Sequence, residues 1–98
     1  MIYIAGPMSG MPDLNFPAFH AEAGRLRARG FVVVNPAEIN PDKSMPWHDC
    51  MLRDIAELVK CHAIRLLPGW ESSSGARIEE IIALHLGLTV FPPHVEVV

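Results

Sequence analysis

The chain has 98 residues, of which half are apolar and 19% charged, with a formal net charge of −3. That describes a single domain over residues 1–98 with enough apolar content for a core, neither disordered nor divisible into two. The one basic run, Arg25-Leu26-Arg27-Ala28-Arg29, is too short for a duplex nucleic-acid footprint, and no apolar stretch nears the ~20 residues that span a bilayer.

Met1-Ile2-Tyr3-Ile4-Ala5 lacks the basic start and small-residue end of a signal peptide. Cys50 and Cys61 show no CxxC spacing, which argues against a disulfide scaffold and against zinc. The expectation is a small cytoplasmic domain with no membrane partner.

The apolar run Ile2 to Ala5 stops at Gly6-Pro7 and reads as a strand buried on both faces. From Asn15 to Arg29, Phe16, Phe19, Ala23 and Leu26 form one helical stripe, with Asn15 as N-cap and Gly30 just past the end. The basic run then falls in the last turn, where cations offset the helix dipole. Phe31-Val32-Val33-Val34 is the second strand. A Pro/Asn/Asp-rich loop runs from Asn35 to about Ser44. Trp47, Met51, Ile55 and Leu58 mark a second helix, with Ser44 as candidate cap and Pro46 in the first turn. Ala63 to Leu67 is the third strand, Ser74 to Leu86 the third helix, and Leu88 to Phe91 the fourth strand.

This alternation implies a parallel sheet with helices on both faces, a flavodoxin-like or Rossmann-like three-layer α/β sandwich of strand order 2-1-3-4. Ligands bind such sheets beyond the carboxyl ends of the strands, beside strand 1. That singles out the loops Gly6–Leu14, Asn35–Ser44 and Pro68–Ser74. Ile78, Ile81, Ile82, Leu84 and Leu86 point in most directions around the third helix, as expected of a helix buried on more than one side. A second copy of the chain would supply that second side.

The first loop, Gly6-Pro7-Met8-Ser9-Gly10, is neither GxGxxG nor GxxxxGK[ST]. It reads either as a tight turn or as a loop that lets a ligand approach the backbone. The third, Gly69-Trp70-Glu71-Ser72-Ser73-Ser74-Gly75, opens into a helix. Its amides and hydroxyls suit an anion such as phosphate, although one serine is needed only as the cap. Trp70 would stack on a base or cover the sheet edge. Glu79 has small neighbours in Gly75, Ala76 and Ala83, whereas Glu80 has Arg77 to pair with. Asp54 is the other acid able to face the cleft. Two carboxyls on separate helices can divide nucleophile from acid, or can simply be solvated. The five histidines have no metal spacing, and no metal or cofactor is expected; His85 reads as an interface or core residue.

Ile2 to Met8, then Arg53-Asp54-Ile55, then Pro68-Gly69-Trp70-Glu71-x-Ser73-x-Gly75-Ala76-Arg77-x-Glu79 and Gly87 resemble the nucleoside 2-deoxyribosyltransferase-like superfamily. Within it, the chain is similar to a small phage- and prophage-associated branch, the DUF4406-type proteins. The resemblance covers the chain to about Phe91. It implies cleavage of the N-glycosidic bond of a (deoxy)nucleoside or its 5′-monophosphate, with no cofactor. Glu79 matches the nucleophile, Tyr3 the tyrosine that orients it, and Asp54 the aspartate that positions and protonates the leaving base. Ser73 matches a phosphate-contacting serine of nucleotide-preferring members, which favours a nucleotide over a nucleoside. The family's sites lie near a dimer interface. His62 stands where relatives usually carry Asp, and the chain stops short of the transferases' C-terminal extension, which favours hydrolysis over base transfer. The other expectation kept open is a nucleotide-binding module without turnover.

Overall fold

The computed structural model describes residues 1–98. Strands β1 (Ile2–Ala5), β2 (Val33–Val34), β3 (Ala63–Leu66) and β4 (Thr89–Phe91) are interleaved with helices α1 (Phe16–Ala28), α2 (Pro36–Ile39), α3 (Trp47–Leu58) and α4 (Ser74–His85). Every strand pair is parallel and the order is β2-β1-β3-β4, as the alternation predicts.

Alternate residues of β1 enter two separate cores. Ile2 and Ile4 pack with Phe16, Phe19, Ala23 and Leu26 of α1. Tyr3 and Ala5 pack on the opposite face with Leu58 of α3 and with Ala76 and Ala83 of α4. The molecule is therefore a three-layer sandwich. Complete burial of a side chain such as Leu26 contributes about 1.5–3 kcal/mol.

The helix ends show which local signals hold. Gly30 is left-handed (φ 92°), and the Gly30 and Phe31 N–H groups donate to the Arg27 and Leu26 carbonyls at 2.9 and 3.2 Å. This two-bond closure of α1 needs a residue without a Cβ. It also occupies Phe31, and the second strand is shorter than expected, Val33–Val34, with the Val32 carbonyl still accepting from the Ile2 N–H at 2.9 Å. Asn15 holds the N-cap position of α1 as expected, but it is left-handed and makes no side-chain bond to the helix. Ser44 does not cap α3. Its N–H and hydroxyl both donate to Asp42 Oδ1, at 2.9 and 2.6 Å. Pro46 flanks the helix as its cap residue instead of lying in the first turn.

The loop expected after β2 contains α2. Its cap is Asn35, whose buried side chain accepts from the Ala37 N–H at 3.0 Å. This single helical turn was not evident in a Pro- and Asn-rich stretch, because only burial against the sheet stabilises so short a helix.

Helix α4 turns its small residues inward. Gly75, Ala76, Glu79 and Ala83 are buried, whereas Ile78, Ile81 and Leu84 stand 38, 50 and 54% exposed. In the single chain this helix is therefore not buried all round, because the sheet approaches it closely only on its Gly/Ala side. On the other face of the sheet the C-terminal tail adds to the cover of α1. Val97 is fully buried, and Arg29 donates to its carbonyl at 2.8 Å. Beneath the tail, buried Arg65 donates to the Pro92 carbonyl. Its Nε lies 2.9 Å from Glu22 Oε2, an ion-pair distance without hydrogen-bond geometry.

Candidate active site

Strand β1 leaves the sheet at Ala5-Gly6. A Cβ on Gly6 would lie 2.7 Å from Leu67 Cβ, so glycine is needed here for the exits of β1 and β3 to pack together. Beyond them, at the carboxyl edge of the sheet, opens a cleft of about 160 Å³. This is where the strand order reverses around β1, the usual ligand position in such sheets. Residues of the first loop, α2, α3 and the start of α4 all line it.

Two carboxyls face this cleft, Asp54 from α3 and Glu79 from α4. Both belong to largely buried residues. Glu79 points inward because α4 presents only small residues to the sheet around it, and it accepts a buried hydrogen bond from the Tyr3 hydroxyl. Burial pushes the Glu79 carboxyl up to about 8; the Tyr3 bond opposes this and the nearby Asp54 adds to it. Burial also raises Asp54, to about 7, against the pull of a bond from Asn40 Nδ2 to its Oδ1 at 2.8 Å. Tyr3 is held well above the usual phenol range, first by burial and then by the Glu79 charge, so it stays a donor. Two largely buried carboxyls with displaced proton affinities at one cleft are suited to acid–base and nucleophilic work.

Of the residues expected to bind, Gly6, Met8, Ser9, Ser73 and Gly75 line the cleft. Ser73 is also the cap of α4, its Oγ accepting from the Ala76 N–H at 3.2 Å. Pro7, Gly10, Trp70, Ser72 and Ser74 are not among the lining residues. Trp70 packs on the core beneath α3 and α4, and the Ser72 hydroxyl donates to the Gly69 carbonyl at 2.9 Å. Gly10 is exposed in a left-handed turn with φ 79°. None of the histidines reaches the cleft. His62 lies at the opposite edge of the sheet, 3.2 Å from the terminal amine, and exposed His85 bonds the Ile81 carbonyl of its own helix.

Sequence reading did not single out Asn40, Lys43 or the cleft role of Trp47. Lys43 is the one cation in the lining; it pairs with Asp13 and lies 5.2 Å over the Phe16 ring. Asn40 and Lys43 belong to the Asn35–Ser44 loop, which the sheet geometry had marked for attention. Trp47 fits the helical stripe but stands 49% exposed at the cleft. Asp13, Leu14 and Asn15 are consecutive left-handed residues, with φ of 55, 50 and 59°. Such a conformation costs of order 1–2 kcal/mol per residue, and here it accompanies the placement of Leu14 in the cleft wall.

A family model described as a domain of unknown function, DUF4406, matches residues 1–92. The chain belongs to the DUF4406 family. No curated protein matches it. In this DUF4406 domain the match spans all four strands and both carboxyls, and it ends before Val97. No helix of the DUF4406 domain is long and apolar enough to cross a membrane.

The Tyr3–Glu79 bond can be tested without knowing a substrate. We predict that Tyr3→Phe raises the titration midpoint of Glu79, followed by carbon NMR of its carboxyl, by about one pH unit. An unchanged midpoint would mean that the hydroxyl does not stabilise the carboxylate.

Proposed function

We propose that this DUF4406 domain is an N-glycosidase of a small (deoxy)nucleotide or nucleoside, related to the nucleoside 2-deoxyribosyltransferase-like superfamily. The observation that carries the reading is the Tyr3–Glu79–Asp54 constellation, with a buried tyrosine bonded to one cleft carboxyl and a second carboxyl beside it.

The Glu79 carboxylate attacks the anomeric carbon as the C–N bond breaks. The bonding pair leaves with the base, which takes a proton from Asp54. Water activated by Asp54 then attacks the same carbon, releasing the free sugar and restoring both carboxyls. The transition state is oxocarbenium-like, so a carboxylate held in a poorly hydrated cleft stabilises the developing charge. Ser9, Ser73 and Lys43 line the cleft beside the start of α4, a set of donors suited to a 5′-phosphate. This supports a nucleotide over a nucleoside. We place the domain in the cytoplasm, where its two free thiols, Cys50 and Cys61, would persist.

The deciding experiment is a chromatographic assay for free base. The purified protein is incubated with the common (deoxy)nucleosides and their 5′-monophosphates, alongside Glu79→Ala. Base released by wild type alone supports the glycosidase. No release from any substrate, together with a rise in melting temperature on adding a nucleotide, replaces it with the non-catalytic binding module.

A homodimer through α4 is part of the proposal. The exposed row Ile78, Ile81 and Leu84, continued by Leu86, is too apolar for a free helix face. Light scattering at about twice the 10.8 kDa chain mass, reverting to the monomer in Ile81→Glu, is the expected outcome. A monomeric wild type at working concentration would remove the dimer from the reading.

A further inference from the structure

Asn40 follows the last turn of α2 and is 5% exposed, yet its side chain is only half satisfied. Nδ2 donates to Asp54 Oδ1 at 2.8 Å, while Oδ1 is buried with no partner at all. A buried acceptor left unpaired costs free energy, so its presence calls for a partner or a role. The neighbouring carboxyl provides one. As a carboxylate, Asp54 has only acceptors and needs the amide N–H. As a carboxylic acid it gains an O–H donor, and an amide turned by half a rotation about its last side-chain bond presents Oδ1 to receive it.

We propose that Asn40 is a positioning residue for Asp54, a rotatable amide that donates to its carboxylate and accepts from its carboxylic acid. The amide thereby selects which cleft carboxyl holds the proton. The orientation observed stabilises Asp54 as the anion and so favours the proton on Glu79. The turned amide favours the proton on Asp54 and leaves Glu79 free to ionise, the arrangement a glycosidase needs. The other titratable or charged groups around Asp54 are Glu79 from α4, Tyr3 from β1, Cys50 from its own helix and Lys43 across the cleft. None of them makes a hydrogen bond to Asp54, so Asn40 is its sole direct partner in the protein.

The consequence for catalysis rests on the glycosidase reading, but the pairing itself does not. The test is an NMR titration of the labelled wild-type protein from about pH 5 to about pH 9, bracketing both raised carboxyls. The Asn40 side-chain amide resonances are expected to shift with the same midpoint as the Asp54 carboxyl carbon. Asn40→Leu, which keeps the volume and removes both donor and acceptor, is expected to raise that midpoint, by up to about one pH unit, because the charge-assisted bond to the carboxylate outweighs the bond accepted from the acid. If wild type releases base, the corresponding limb of its pH profile should move by the same amount. Amide resonances that stay still through the Asp54 midpoint would overturn the proposal even if Asn40→Leu fails to fold. An Asp54 midpoint unchanged in folded Asn40→Leu would overturn it as well. Loss of base release with the Asn40–Asp54 coupling intact would count against the glycosidase reading alone.

Discussion

Glu79→Ala is expected to reduce base release by at least about 10³-fold, the scale on which loss of a nucleophile acts even when binding is kept. The residue cannot be replaced by solvent, because its carboxyl is buried and approached only by Tyr3 and the cleft. The same geometry sets the pH dependence. With Glu79 raised to about 8 and Asp54 to about 7, the pair passes through a one-proton form between those values. In that form the more deeply buried Glu79 has the higher proton affinity, so the productive arrangement, with Glu79 ionised and Asp54 protonated, is the minor one. Base release should therefore follow a narrow bell centred between the two midpoints and fall on both sides. Base release that persists in Glu79→Ala would end the nucleophile assignment.

Glu79→Gln should stabilise the protein, and the difference from wild type should grow with pH. A carboxyl whose proton affinity is higher in the folded than in the unfolded chain makes the folded state bind more protons. Its contribution is then fully favourable below the unfolded value near 4.5 and is lost as pH rises through about 8. Wild type loses this contribution across the window, whereas Glu79→Gln has nothing there to ionise and its amide can still accept from Tyr3. The two proteins should melt together near the acid end. At the alkaline end Glu79→Gln should be more stable by about 2 kcal/mol or more, a rise of roughly 10 °C for a domain of this size. Asp54 retains its own, lower window in both, so neither curve will be flat. Parallel melting curves across the whole pH range would show that Glu79 is not held as a buried acid. A variant that is inactive yet more stable is what a strained functional carboxyl predicts.

The two effects come from one cause, the desolvation of a carboxyl that the fold cannot fully compensate. Tyr3 supplies a single donor, and Lys43, the only cation lining the cleft, is already paired with Asp13. A structural ion pair would have lowered these carboxyls instead, as Arg27 does for Glu38 and Arg25 for Glu22 on the surface. That contrast within one molecule separates the cleft acids from the structural ones.

Much of this was legible in the chain itself. Short apolar runs alternating with stripes of period 3.6, stopped by Gly-Pro, Asn-Pro and Pro-Gly, were enough for four parallel strands and for the edge of the sheet where ligands usually bind. Glu79 stood out through its small neighbours and through the motif around it. The serines were less legible. Three in a row read as one anion loop, but the cap geometry turns Ser73 alone into the cleft and leaves Ser72 bonded to the Gly69 carbonyl. Asn15 and Ser44 carry the residue types of helix caps, but Asn15 at the cap position is left-handed with no side-chain bond to α1, and Ser44 is diverted by an Asp42-centred turn. Local propensity could not reveal this, because a cap depends on where the preceding chain arrives as much as on the capping side chain.

Sequence alone thus determined the layers and the parallel sheet, since these follow from periodicity and chain direction, and the motif shared with a known superfamily singled out Glu79. Only the tertiary structure decided the company that residue keeps. Tyr3 and Asn40 lie far from Glu79 and Asp54 along the chain or in another element, and the carboxyls acquire their proton affinities from burial between α3, α4 and the sheet. Burial is a property of how elements pack, so no window of residues contains it.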